Sequence, residues 1–81
     1  MSKPHVIIYS RPGCHLCDEA KAVIEQVKHE IDLTLEEVNI EYDLELLQRY
    51  RYDIPVITIN GIEAFRHRVE HSTLRAALLK L

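Results

Sequence analysis

Cys14 and Cys17 are the only cysteines of the 81-residue chain, and they stand three apart within "YSRPGCHLCDEA". Three chemistries use such a pair: a structural staple, a metal site, or dithiol exchange. A bridge across so short a loop restrains the unfolded chain by only about 2 kcal/mol, less than a longer loop would yield. Zinc normally takes four ligands, and there is no second cysteine pair to complete the set. His67 and His71 have a zinc-like spacing but lie far along the chain from Cys14. Haem attachment requires histidine directly after the second cysteine, where this chain has Asp18. No metal ligand is therefore assigned, and exchange fits best.

Dithiol exchange needs one sulfur to attack a disulfide and a second to resolve the mixed disulfide that forms. The pattern places Cys14 where a turn meets a helix, with unpaired N–H groups and the positive end of the helix dipole favouring a thiolate. Cys17, one turn later on the same face, can close a disulfide with it. Arg11 and His15 add positive charge that favours the thiolate further, while Asp18 and Glu19 act against it. Cys14 is thus the expected nucleophile and Cys17 the resolving thiol.

The elements that must hold this pair follow from periodicity and punctuation. "HVIIY", His5–Tyr9, is a short β-branched apolar run and predicts a buried strand. Pro12 and Gly13 turn the chain. From Cys14 onward, Leu16, Ala20, Val23, Ile24, Val27 and Ile31 recur at helical spacing, with Asp18, Glu19, Lys21, Glu25 and Lys28 on the other face. Leu33–Ile40 predicts a second strand, parallel to the first because the helix between them is a crossover. Asp43–Tyr50 predicts a short helix with Leu44, Leu47 and Tyr50 facing inward; Tyr42, Tyr50 and Tyr52 are expected to pack around it. Ile54–Asn60 predicts a third strand with Pro55 at its start, where a missing N–H is tolerated. Asn60–Gly61 signals a tight hairpin into a fourth, antiparallel strand, Ile62–Val69, alternating through Ile62 and Ala64. Ser72–Leu81 closes the chain as a helix, with Ser72 as N-cap and Leu74, Ala77, Leu78 and Leu81 as its apolar stripe. The order is β-α-β-α-β-β-α: an α/β fold with a four-stranded mixed sheet flanked by three helices.

Composition bounds the rest. A chain of 81 residues makes one domain, 1–81, burying roughly 60–65% of its unfolded surface. With 28% charged residues and a net charge of −3, no electrostatic case for nucleic acid exists. No apolar run approaches the roughly 20 residues of a membrane span. "MSKPHVIIYS" lacks a signal-peptide pattern, so a cytoplasmic location is expected; the chain is also expected to be a monomer. Arg66, His67 and Arg68 read as a solvated strand face more readily than as an anion-binding edge.

With these residues in place, the chain resembles the thioredoxin superfamily, and within it the glutaredoxin-like branch of small bacterial proteins. The resemblance spans nearly the whole chain and lies in "YSRPGCHLC", in "DIPVITING", and in the minimal length. It implies a minimal thioredoxin-like fold. It also implies a cis bond before Pro55, facing the cysteines, with the Ile54 backbone offering hydrogen bonds to a bound thiol or peptide as an added strand would. Arg11 and Arg51 match positions where the family places basic or polar groups for glutathione. His15 and Leu16 stand where glutathione-using members commonly carry Pro and Tyr, and "EAFRHRVEHSTL" has no glycine pair. The buried acid of thioredoxins is replaced by Ile8. The expected activity is thiol–disulfide oxidoreduction with no bound cofactor, acting on protein or small-molecule disulfides. Glutathione or a thioredoxin reductase would supply electrons. The alternative is a carrier of metal or an Fe–S cluster on the same two thiols, held between two chains with glutathione.

Overall fold

The computed structural model describes residues 3–81. Three segments alternate before the hairpin: β1 (His5–Ser10), α1 (His15–Lys28) and β2 (Thr34–Asn39). A short 3-10 helix, Ile40–Tyr42, leads into α2 (Leu44–Tyr50), β3 (Val56–Ile59), β4 (Ile62–Arg66) and α3 (His71–Leu79). The sheet order is β2-β1-β3-β4. β1 runs parallel to β2, as the crossover requires, and antiparallel to β3. This is the predicted α/β architecture, β-α-β-α-β-β-α.

β1 is central and covered on both faces, which is why its apolar run is nearly unbroken. Val6 and Ile8 meet α1 and α3 in the main core with Ala20, Ile24, Val27, Leu33, Ile57, Ile59, Leu74 and Leu78. Ile24, with no exposed surface, represents about 1.5–3 kcal/mol of burial by itself. On the opposite face Tyr9 packs on a smaller cluster of Ile40, Tyr50 and Val56, joined by Leu46, Leu47 and Ile54. The Tyr9 and Tyr50 rings lie 5.0 Å apart there. Burial, then the neighbouring Tyr50, pushes the Tyr9 hydroxyl above its usual titration range. Both edge strands carry charge, Glu36 and Glu37 on β2 and Glu63 and Arg66 on β4, which discourages edge-to-edge pairing.

Several sequence expectations need correction. Leu44 is 70% exposed. Asp43 caps α2 through the Glu45 and Leu46 amides, and the inward stripe then runs through Leu46, Leu47 and Tyr50, leaving Leu44 on the far side. Tyr42 and Tyr52 also face solvent, so Tyr50 alone of that trio is buried. β4 ends at Arg66, short of Val69, and a register shift opposite Ile57/Thr58 pairs Ile57 with Phe65 and Thr58 with Glu63. The displaced alternation turns Phe65 toward the core and leaves Ile62 and Ala64 exposed. In α3 the N-cap is Glu70 rather than Ser72, and Leu81 lies exposed beyond the helix end. The Asn60–Gly61 turn is as predicted, both residues having positive φ (52° and 83°). No helix among the described residues is long and apolar enough to cross a membrane.

Candidate functional site

Strand register brings the residues of interest to one end of the sheet. β1 ends at Ser10, which pairs with Asn39, and its neighbour Tyr9 pairs with Val56. Val56 in turn pairs with Arg66. The cysteine loop therefore leaves β1 beside the start of β3 and the end of β4. Ile54–Pro55 precedes Val56 directly, and its peptide bond is cis. Pro55 is buried and Ile54 half-buried against the second cluster.

The loop from Arg11 to Cys14 is closed by the Cys14 N–H donating to the Arg11 carbonyl at 3.3 Å. Gly13 within it has φ of 79°; an added Cβ would meet nothing, so backbone conformation alone calls for glycine here. Cys14 is the N-cap of α1, with extended backbone (φ −90°, ψ 105°). Its Sγ accepts the Cys17 N–H at 3.2 Å, satisfying one of the amides that helix geometry leaves unpaired. The two cysteines form a disulfide, with Cα atoms 5.2 Å apart. They are not equivalent: Cys14 is half-buried, whereas Cys17, in the first turn of α1, is 3% exposed.

The flanking residues are placed as follows. His15 extends into solvent, its Nε2 3.7 Å from Glu19 on the next turn of α1. Arg11 reaches Glu41 of the 3-10 helix at 3.1 Å. Arg51 caps the C-terminus of α2 and lies over the Tyr52 ring, 5.1 Å from its centroid. The structure thus gathers Cys14, Cys17, Ile54 and Pro55 at one end of the sheet, while giving His15, Arg11 and Arg51 partners outside the cysteine pair. A groove of about 160 Å³ runs beside α1, floored by Leu16, Ala20, Val23 and Val69 and rimmed by Glu19, His67, Arg68 and Glu70. Arg68 and His67 therefore border a cavity rather than only a solvated face. Among the described residues no three His, Cys, Asp or Glu side chains cluster as metal ligands. His67 and His71 face different partners, Asp53 and Glu30.

Two features escape sequence reading. His67 has φ of 66°, a left-handed conformation that the sequence does not announce with glycine, and its N–H donates to the Pro55 carbonyl at 2.8 Å. Asp53 opens the stretch "DIPVITING", yet nothing there announces its partner, the Arg66 guanidinium 3.2 Å away. The only local hint is the acid directly before Ile54–Pro55; its partner is set by strand pairing.

Residues 5–79 match the family described as glutaredoxin-like domain (DUF836). The glutaredoxin-like protein YDR286C homolog of Dictyostelium discoideum is 30% identical over 76 residues, covering 86% of this chain and 70% of that protein. The X-ray structure of protein XcR50 from X. campestris superposes with a TM-score of 0.80 at 26% identity, covering 94% of this chain and 97% of that one. The solution structure of Ne2328 from Nitrosomonas europaea gives 0.83 at 25% identity, covering 96% and 94% respectively. A malaria-parasite thioredoxin-2 shares the fold at a TM-score of 0.75 and 17% identity, covering 98% of this chain and 84% of its own.

Proposed function

The chain belongs to the glutaredoxin-like family, and from that premise we propose that it is a thiol–disulfide oxidoreductase whose dithiol is Cys14 and Cys17. The observation that carries the reading is the asymmetry of the pair: a half-buried cysteine capping a helix, and a buried one a turn later. In the reduced protein the Cys14 thiolate attacks a substrate disulfide. The substrate S–S bond breaks, a Cys14 mixed disulfide forms, and the first substrate thiolate leaves and takes up a proton. Cys17 then gives up its proton and attacks Cys14 Sγ, expelling the second substrate thiolate. The substrate gains two electrons and the protein is left with the Cys14–Cys17 disulfide seen here. The Cys17 N–H stabilises the Cys14 thiolate that makes the first attack.

A low-molecular-weight thiol such as glutathione, or a thioredoxin reductase, would restore the dithiol in a reducing compartment such as the cytoplasm. No bound cofactor is needed for either exchange. Ile54 and Pro55 would line the substrate edge, with Arg11 and Arg51 as outlying contacts for an anionic substrate group. Trapping tests this. Cys17→Ser should accumulate a mixed disulfide at Cys14, and Cys14→Ser should abolish disulfide reduction. Full activity in Cys14→Ser would overturn the assignment. Comparing re-reduction by glutathione with re-reduction by a thioredoxin reductase identifies the electron donor.

A further inference from the structure

The connection that carries Ile54 and Pro55 is tied to the end of β4 by charge as well as by backbone. Asp53 Oδ2 lies 3.2 Å from Arg66 Nη1, and Asp53 Oδ1 lies 3.8 Å from His67 Nε2. Arg66 also grips Glu63 on its own strand, through Nε and, at 3.1 Å, through Nη2. The guanidinium therefore bridges one carboxylate of β4 and one of the α2–β3 connection. From the backbone side, Val56 pairs with Arg66, and the His67 N–H donates to the Pro55 carbonyl at 2.8 Å. Asp53 and Ile54 both donate their amides to the Tyr50 carbonyl, at 2.8 and 3.1 Å, which anchors the other end of the connection to α2.

His67 makes this arrangement costly to maintain. Its φ of 66° lies in the region that L-residues avoid, within a three-residue turn closed by the Arg68 N–H on the Arg66 carbonyl at 2.7 Å. Such strain persists only where surroundings over-determine it, and it concentrates at working sites. Here the surroundings are the Pro55 carbonyl and the Asp53 carboxylate, both belonging to the segment that flanks the cysteine loop.

We propose that Asp53, acting through Arg66 and His67, is a positioning residue that holds the Ile54–Pro55 edge in place for docking of a substrate disulfide onto Cys14. The proposal rests on the exchange reading above. Asp53 touches neither sulfur, so its loss should weaken docking and leave the reactivity of Cys14 untouched.

The test mixes reduced protein with excess synthetic peptide carrying one internal disulfide, and follows oxidation of the protein's own Cys14 and Cys17 thiols, read by mass spectrometry of acid-quenched samples, against peptide concentration. Asp53→Asn should raise the half-saturating concentration by about three- to five-fold, the upper range for a partly exposed ion pair, with an unchanged limiting rate. Its rate of alkylation by iodoacetamide at Cys14 should equal that of the unaltered protein. Asp53→Glu, which keeps the charge, should recover most of the loss. Should Asp53→Asn fail to fold, Arg66→Lys carries the same expectation, because lysine keeps the charge but not the fork that bridges Asp53 and Glu63. An unchanged half-saturating concentration in a folded variant overturns the proposal, as does a parallel fall in alkylation rate. No reaction of the unaltered protein with the peptide would instead defeat the exchange reading itself.

Discussion

Brief iodoacetamide treatment of the reduced protein at about pH 6, where ordinary thiols are almost wholly protonated, should label Cys14 well before Cys17. The Cys17 N–H that Cys14 Sγ accepts at 3.2 Å stabilises a thiolate there. A hydrogen bond to a charged group contributes about 1.5–3 kcal/mol and a helix N-terminus about 0.3–1 kcal/mol. The lower ends together give about 1.8 kcal/mol, or roughly twenty-fold more thiolate. A more stable thiolate is a weaker nucleophile, so only about the square root of that factor, four- to five-fold, survives in the rate. Access supplies the remainder. Cys17 is 3% exposed, and reaching it requires the first turn of α1 to open. An opening cost of even about 1 kcal/mol adds roughly another five-fold. Cys14 should therefore react at least about twenty times faster, as read by mass spectrometry of digested samples quenched at successive times. Comparable rates at the two positions, or earlier labelling of Cys17, would refute the asymmetry on which the assignment of attack and resolution rests.

Two further outcomes test the scaffold. Ile24→Ala removes a side chain with no exposed surface from the main core and should cost about 2–5 kcal/mol, lowering Tm by at least about 8 °C in a domain of this size, measured by circular dichroism. The Arg66 guanidinium holds the Glu63 carboxyl below the usual carboxylate range. Because that value is depressed by folding, the stabilisation is present above the ordinary glutamate range and is lost as pH falls through the lowered value. The gap in urea midpoint between the unaltered protein and Glu63→Gln should therefore be present at pH 7 and close in acid. A gap independent of pH would rule this out.

Much of the fold was legible in the sequence because its signals are local. The β-branched run at His5–Tyr9, the helical spacing from Leu16 to Val27 and the Asn60–Gly61 turn each act within a few residues, and each element lies where they point. The cysteine pair at a helix start was legible for the same reason: Cys14 caps α1 and Cys17 follows one turn later. The misreadings fall where a local pattern meets a distant constraint. Ile62 and Ala64 alternate correctly for a strand, but the register shift against β3 inverts which residue meets the core. Leu44 has the right spacing to Leu47, yet the cap at Asp43 and the packing of Tyr50 rotate it outward.

By itself, then, the sequence determined the element order, the crossover and the presence of two sulfurs within reach of each other. These depend on backbone preferences and side-chain period over short separations. Only the tertiary structure decided that Cys14 is accessible and Cys17 covered, since burial depends on what else packs against the helix. It also decided that Asp53 finds Arg66 across thirteen residues of chain, and that His67 takes a left-handed turn against Pro55. Those contacts follow from the pairing of β3 with β4. Strand register is settled by the whole buried face rather than by any residue that makes the contact.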